Sequence, residues 1–291
     1  MTGLCIVLLR YRDVPTTTRM ESMRPTVLRR IAATGVRVAL PRPTPYCIVA
    51  RGRCGSNLLC SLLRSHPKVR DAGEAIGDWA FAQEGSALRR HLLEHGSVAY
   101  VEALFRRRRY ESASGFKVLY EQLEPAYAER QGVPDLPDVL EFLRSKRMVR
   151  IIHLKRRNRL ETLVSKEVAF AVREHVLLHG DGAANDVTIQ LSPEQCEEEF
   201  RRIGAWEERY DEIFHRHVLL QLSYEDLASD MDHESLRVQE FLGVSSRPLH
   251  TRMRKQIRKP MAQVIENYAE LRKEFVDTPW ASYFDSTPPL A

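Results

Sequence analysis

The chain has 291 residues, 43% of them hydrophobic, which suffices for one sizeable α/β core. Its 44 Lys and Arg against 39 Asp and Glu give a net charge of +5, a bias that suits small anionic ligands without demanding nucleic acid. The cysteines Cys5, Cys47, Cys54, Cys60 and Cys196 form neither a disulfide framework nor a CxxC metal site, and no apolar run approaches the roughly 18 residues of a membrane span, so a cytoplasmic protein with no metal is expected.

Residues 1–44 close on the proline-rich Leu40-Pro-Arg-Pro-Thr-Pro45 and read as an N-terminal extension, partly disordered, ahead of a single domain over residues 45–285. Cys47-Ile-Val-Ala50 has the continuous apolar character of a buried parallel strand, and Leu58, Leu59, Leu62 and Leu63 repeat at helical spacing behind it. Between them lies Arg51-Gly-Arg-Cys-Gly-Ser-Asn57. Gly52 and Gly55 let the backbone approach a ligand, the N–H groups of the helix start point at it, and Arg53 and Ser56 add charge and a hydroxyl. Ser56 or Asn57 is expected to cap the helix, and Pro67 to stop it.

Residues 75–114 are polar and mostly helical in pattern. Gly115-Phe-Lys-Val-Leu119 reads as a strand, and a helix is expected from about Asp138 to Lys146. Val149-Arg-Ile-Ile-His-Leu-Lys-Arg-Arg157 is a second apolar strand with a basic end, followed by a helix over 160–179. Its basic first turn opposes the helix dipole, a cost that a bound anion would relieve. Solvated basic residues are the bland alternative. A Gly/Ala/Asn/Asp loop spans Asp181 to Thr188, Ser192-Pro193 starts a further helix, and Val218–Leu222 is a last strand delivering Tyr224-Glu-Asp226. Strands alternating with helices predict a parallel sheet covered on both faces. Arg106–Arg109 is a dense basic run expected at a solvated helix end.

The loop lacks the GK[ST] of a nucleotide kinase. It resembles the 5′-phosphosulfate loop of sulfotransferases, above all the bacterial trehalose and lipopolysaccharide sulfotransferase-like group, through Arg53-Cys-Gly-Ser-Asn-Leu-Leu59, with Cys54 where Ser or Thr is usual. The resemblance extends to Arg156 and Ser165, on the positions of the 3′-phosphate clasp with Arg157 as the alternative register. It also takes in Gly115-Phe-Lys117, Tyr224-Glu-Asp-Leu227, Phe241-Leu-Gly243 and Lys255-Gln256. It implies a three-layer α/β/α fold of the P-loop nucleoside triphosphate hydrolase-like kind, and 3′-phosphoadenosine-5′-phosphosulfate as co-substrate without a metal.

The same resemblance assigns nucleotide binding to Arg51, Gly52, Arg53, Cys54, Gly55, Ser56, Asn57, Arg156, Ser165 and Lys255, and catalysis to Glu74 as base with Arg53 and Lys117. His66 and His153 are rival bases. His66 stands at a helix end before Pro67, and His153 inside an apolar strand, where structural roles are expected. The acceptor implied is a carbohydrate or glycolipid hydroxyl, with no nucleic acid partner, and a homodimer is an admissible assembly. A kinase-like P-loop protein using ATP and magnesium is the competing reading.

Overall fold

The computed structural model describes residues 42–81, 87–106, 110–172, 187–254, 257 and 259–285. The expected N-terminal extension falls almost wholly outside them, as do Arg107 to Arg109, most of the 181–188 loop and Lys255. Five strands, β1 (Thr44–Ala50), β2 (Val69–Glu74), β3 (Ala113–Leu119), β4 (Arg150–Lys155) and β5 (Leu219–Ser223), form one parallel sheet in the order β2-β3-β1-β4-β5. The apolar β1 is central, flanked by β3 and β4, and its residues alternate between two cores as the two-residue period of a strand requires. Cys47 and Val49 pack with Phe116, Val118, Ile151, Tyr210 and Phe214 on one face. Tyr46, Ile48 and Ala50 pack with Leu59, Leu62, Leu63, Ile152, Leu154 and Leu242 on the other.

Helix α1 (Ser56–Ser65) follows the β1 loop directly and ends before Pro67. The 75–114 region carries α2 (Asp78–Phe81), α3 (Ala87–His95) and α4 (Ser97–Leu104). Beyond β3 come a 3₁₀ turn (Tyr120–Leu123), α5 (Pro125–Gln131) and α6 (Asp138–Ser145), while α7 (Arg159–Val172) follows β4. The Ser192 hydroxyl accepts the N–H of Gln195 at the start of α8 (Pro193–Phe214), with Pro193 in the first turn. Sheet and helices make a three-layer α/β/α fold around a central parallel sheet. The crossover from β1 leads to β2 on one side, and the crossover from its neighbour β3 leads to β4 on the other. In open parallel sheets that divergence at the carboxyl ends of the strands is where ligands sit. Among the described residues no helix is long and apolar enough to cross a membrane.

One sequence expectation changes here. Neither Ser56 nor Asn57 caps α1: Gly55, at φ 86°, is the cap residue, and it supplies no side-chain cap. Asp71-Ala-Gly-Glu74, which carries the candidate base, is the end of an edge strand, with a register shift against β3 between Asp71 and Glu74.

Candidate active site

A cleft of about 1030 Å³ opens at the carboxyl ends of β1, β3 and β4. The β1 loop forms its floor: Arg51, Gly52, Arg53, Gly55, Ser56 and Asn57 all line it. With a glycine in the cap position and no side-chain cap, the start of α1 offers backbone N–H groups to an anion held by the loop. Arg53 is the only non-glycine residue with positive φ among the described residues, at 69°. A side-chain-bearing residue held there costs backbone energy that the surroundings must sustain, which is a common mark of a functional turn. Cys54 behaves otherwise. Its thiol is buried against the carbonyl of Leu154 at 3.6 Å, burial pushes its pKa up to about 12, and it does not line the cleft, so this residue serves the loop through its backbone.

The end of β4 meets this loop. Arg156 is buried, donates to the carbonyl oxygen of Arg53 at 3.2 Å, pairs with Glu161, and lies over the ring of Tyr224 at 4.4 Å. Ser165, two turns into α7, accepts from Arg53 Nε at 3.1 Å. Of the two registers the sequence allows, Arg156 is thus the one in the cleft wall, while the exposed Arg157 turns outward to grip Asp226 at 2.8 and 3.0 Å. Burial, with Arg156 close by, lowers the Arg53 pKa to about 10. Arg53 still carries its charge at neutral pH, in a place where a neighbouring anion would offset both lost water and like-charge repulsion. Arg51 is held between Glu121 at 2.6 Å and Glu199 at 2.9 Å.

Glu74 stands on the opposite wall. Its neighbour in register across the sheet is Lys117, whose ammonium meets Glu74 Oε2 at 2.7 Å and Asn57 Oδ1 at 2.6 Å. Lys117 is almost fully buried, so these charge-assisted contacts offset its desolvation. One hydrogen-bonded line therefore runs from the β1 loop through Asn57 and Lys117 to the carboxylate. The wall beyond it carries Asp78, Glu121, Gln122, Tyr127 and Arg130, a surface dense in donors and acceptors.

The two histidines lie elsewhere. His66 Nδ1 accepts the backbone N–H of Lys68 at 3.0 Å and its Nε2 bonds the carbonyl of Ser245 at 2.9 Å, so both nitrogens are engaged in structure. His153 is buried beneath the sheet's end between the hydroxyl of Tyr120 and Asp211. Lys255 is outside the described residues, although Met253 and Arg254 before it line the cleft. Sequence reasoning missed Glu121, Gln122, Glu161 and Glu199. For the first two a signal existed, since polar residues directly after a strand of a parallel sheet fall at the carboxyl edge where ligands bind. Among the described residues no group of three or more His, Cys, Asp or Glu is placed to hold a metal ion.

A profile of the sulfotransferase domain matches residues 43–278. Nodulation protein H of Rhizobium meliloti (strain 1021) is 27% identical over 252 residues, spanning 84% of this chain and 96% of that protein. Nodulation protein H of Rhizobium tropici is 27% identical over 253 residues, with 85% and 95% covered. Among solved structures, a sulfotransferase from Alicyclobacillus acidocaldarius aligns with a TM-score of 0.44 at 20% identity, covering 84% of this chain and 95% of that one.

Proposed function

The chain belongs to the sulfotransferase family, and from that premise we propose that it transfers a sulfuryl group from 3′-phosphoadenosine-5′-phosphosulfate to a hydroxyl of a carbohydrate or glycolipid. The observation that carries this reading is the convergence of two cationic anion grips and one hydrogen-bonded carboxylate on a single cleft. The residues fit a bisphosphorylated nucleotide. Arg156 Nε is buried without a hydrogen-bond partner among the described residues, the kind of unmet donor that a phosphate oxygen satisfies. In this reading Arg51, Gly52, Cys54, Gly55, Ser56 and Asn57 hold the 5′ side with Arg53, and Arg156 and Ser165 hold the 3′-phosphate.

The nucleotide supplies an SO3 group bonded to its 5′-phosphate oxygen. Glu74 takes the proton of the acceptor hydroxyl as that oxygen bonds to sulfur. The bond from sulfur to the bridging phosphate oxygen breaks, and its electron pair stays on the phosphate, where Arg53 and the loop N–H groups stabilise the charge. Lys117 balances the charge of the sulfuryl oxygens and fixes the carboxylate. The donor- and acceptor-rich wall of Asp78, Glu121, Gln122 and Arg130 supports a hydroxyl-rich acceptor.

Calorimetric titration tests the reading, with 3′-phosphoadenosine-5′-phosphate as ligand and ATP with magnesium as control. Micromolar binding of the bisphosphate alone is expected. Arg53→Ala and Arg156→Ala should each weaken it at least tenfold, on the order expected for a lost charge-assisted contact, whereas Glu74→Gln should bind normally and fail to transfer. Wild-type affinity in both arginine variants, or binding of ATP with magnesium only, would overturn the assignment.

A further inference from the structure

The 3₁₀ turn Tyr120–Leu123 brings a second polar side chain to Glu74. Gln122 is 2% exposed, yet both ends of its amide are occupied. Its Oε1 accepts the backbone N–H of Leu119 at 3.0 Å, which fixes the amide's orientation, and its Nε2 then donates to Glu74 Oε1 at 2.7 Å. Lys117 holds the other carboxylate oxygen at 2.7 Å. The Glu74 side chain also lies against Gly77, where an added Cβ would stand 2.4 Å from Oε1. The turn itself is fastened from below. The hydroxyl of Tyr120 donates to His153 Nε2, and that of Tyr210 to the carbonyl of Tyr120 at 3.3 Å.

We propose that Gln122 is a positioning residue for the transfer step, holding Glu74 Oε1 through its amide N–H so that the carboxylate stays aimed at the acceptor hydroxyl. The inference rests on Glu74 being the base. Two donors from different elements, one cationic and one neutral, act on the plane of the carboxylate. With Gln122 in place the carboxylate cannot turn away without leaving a buried amide donor unpaired, a loss that opposes the movement.

The test is the Gln122→Met variant, which keeps length and bulk but removes both the N–H to Glu74 and the acceptor of the Leu119 N–H. Expected are unchanged binding of 3′-phosphoadenosine-5′-phosphate, a modest fall in melting temperature from the unpaired Leu119 N–H, and a fall in kcat of about ten- to a hundredfold, the range of a lost supporting contact around a functional group. A residue that merely fills space would lower stability without this selective loss of kcat. Adding Gln122→Met to Glu74→Gln should cause no further loss in the residual rate, since the two act as one unit. Full activity in Glu74→Gln would remove the base reading itself. An inactive Glu74→Gln, combined with an unchanged kcat in Gln122→Met or multiplicative losses in the double variant, would overturn the positioning role alone.

Discussion

Gly55 carries two constraints at once. Its φ of 86° lies in the left-handed region, and a Cβ built on it would come 2.4 Å from the ring of Tyr224. That ring is the surface on which Arg156 rests, so a methyl group at position 55 would disturb both grips together. Gly55→Ala should lower stability by about 1–2 kcal/mol from the backbone alone and weaken bisphosphate nucleotide binding more than tenfold, measured by urea denaturation and calorimetry on the same sample. Wild-type affinity would mean that Tyr224 yields without moving Arg156. The glycine was legible in the sequence, where a strand, a turn and a helix start stand next to one another. The ring was not, because Tyr224 is 169 positions away and only the β4–β5 pairing brings it to the loop.

At the scale of elements, the edge strand β2 shows what a local reading cannot supply. Asp71 is buried and accepts the hydroxyl of Tyr46 and the N–H of Gly73, each at 2.9 Å, with Arg64 at 3.4 Å. Burial raises its carboxyl pKa, and these donors oppose the rise. They hold the register shift that delivers Glu74 opposite Lys117. Asp71→Asn keeps the shape but replaces one acceptor with a donor facing donors, so a cost of about 1–3 kcal/mol is expected. Because the shift positions Glu74, the proposed base, kcat should fall while nucleotide affinity holds. Loss of nucleotide binding instead would show that Asp71 supports the phosphate loop. The same contrast explains how Asn57 was misread as a helix cap. Cap chemistry is local, whereas its oxygen is taken by a lysine sixty residues on. The two adjacent arginines after β4 were separable only by burial, since Arg156 turns in and Arg157 turns out to Asp226.

Across the whole molecule, the chain Tyr120–His153–Asp211 ties the central sheet to α8 and sets an acid dependence of folding. His153 is fully buried, and burial, aided by Lys155, lowers its pKa from 6.5 to about 4 despite the opposing pull of Asp211. The folded protein therefore resists protonation that the unfolded chain accepts. Between about pH 6.5 and 4 the unfolded state binds more protons, so stability rises with pH through that window and is lost as pH falls through it, by up to about 3 kcal/mol, levelling below it. Urea denaturation of the wild type and His153→Gln at pH 7.5, 6 and 5 measures this term. The variant should be less stable at pH 7.5, where it loses the Tyr120 bond, and should show a shallower decline toward pH 5. Equal slopes would mean that other groups carry the acid dependence. Since His153 does not line the cleft, its variant should keep the wild-type pH–rate profile wherever it is folded. A lost or displaced limb would instead implicate this histidine in the proton transfer assigned to Glu74.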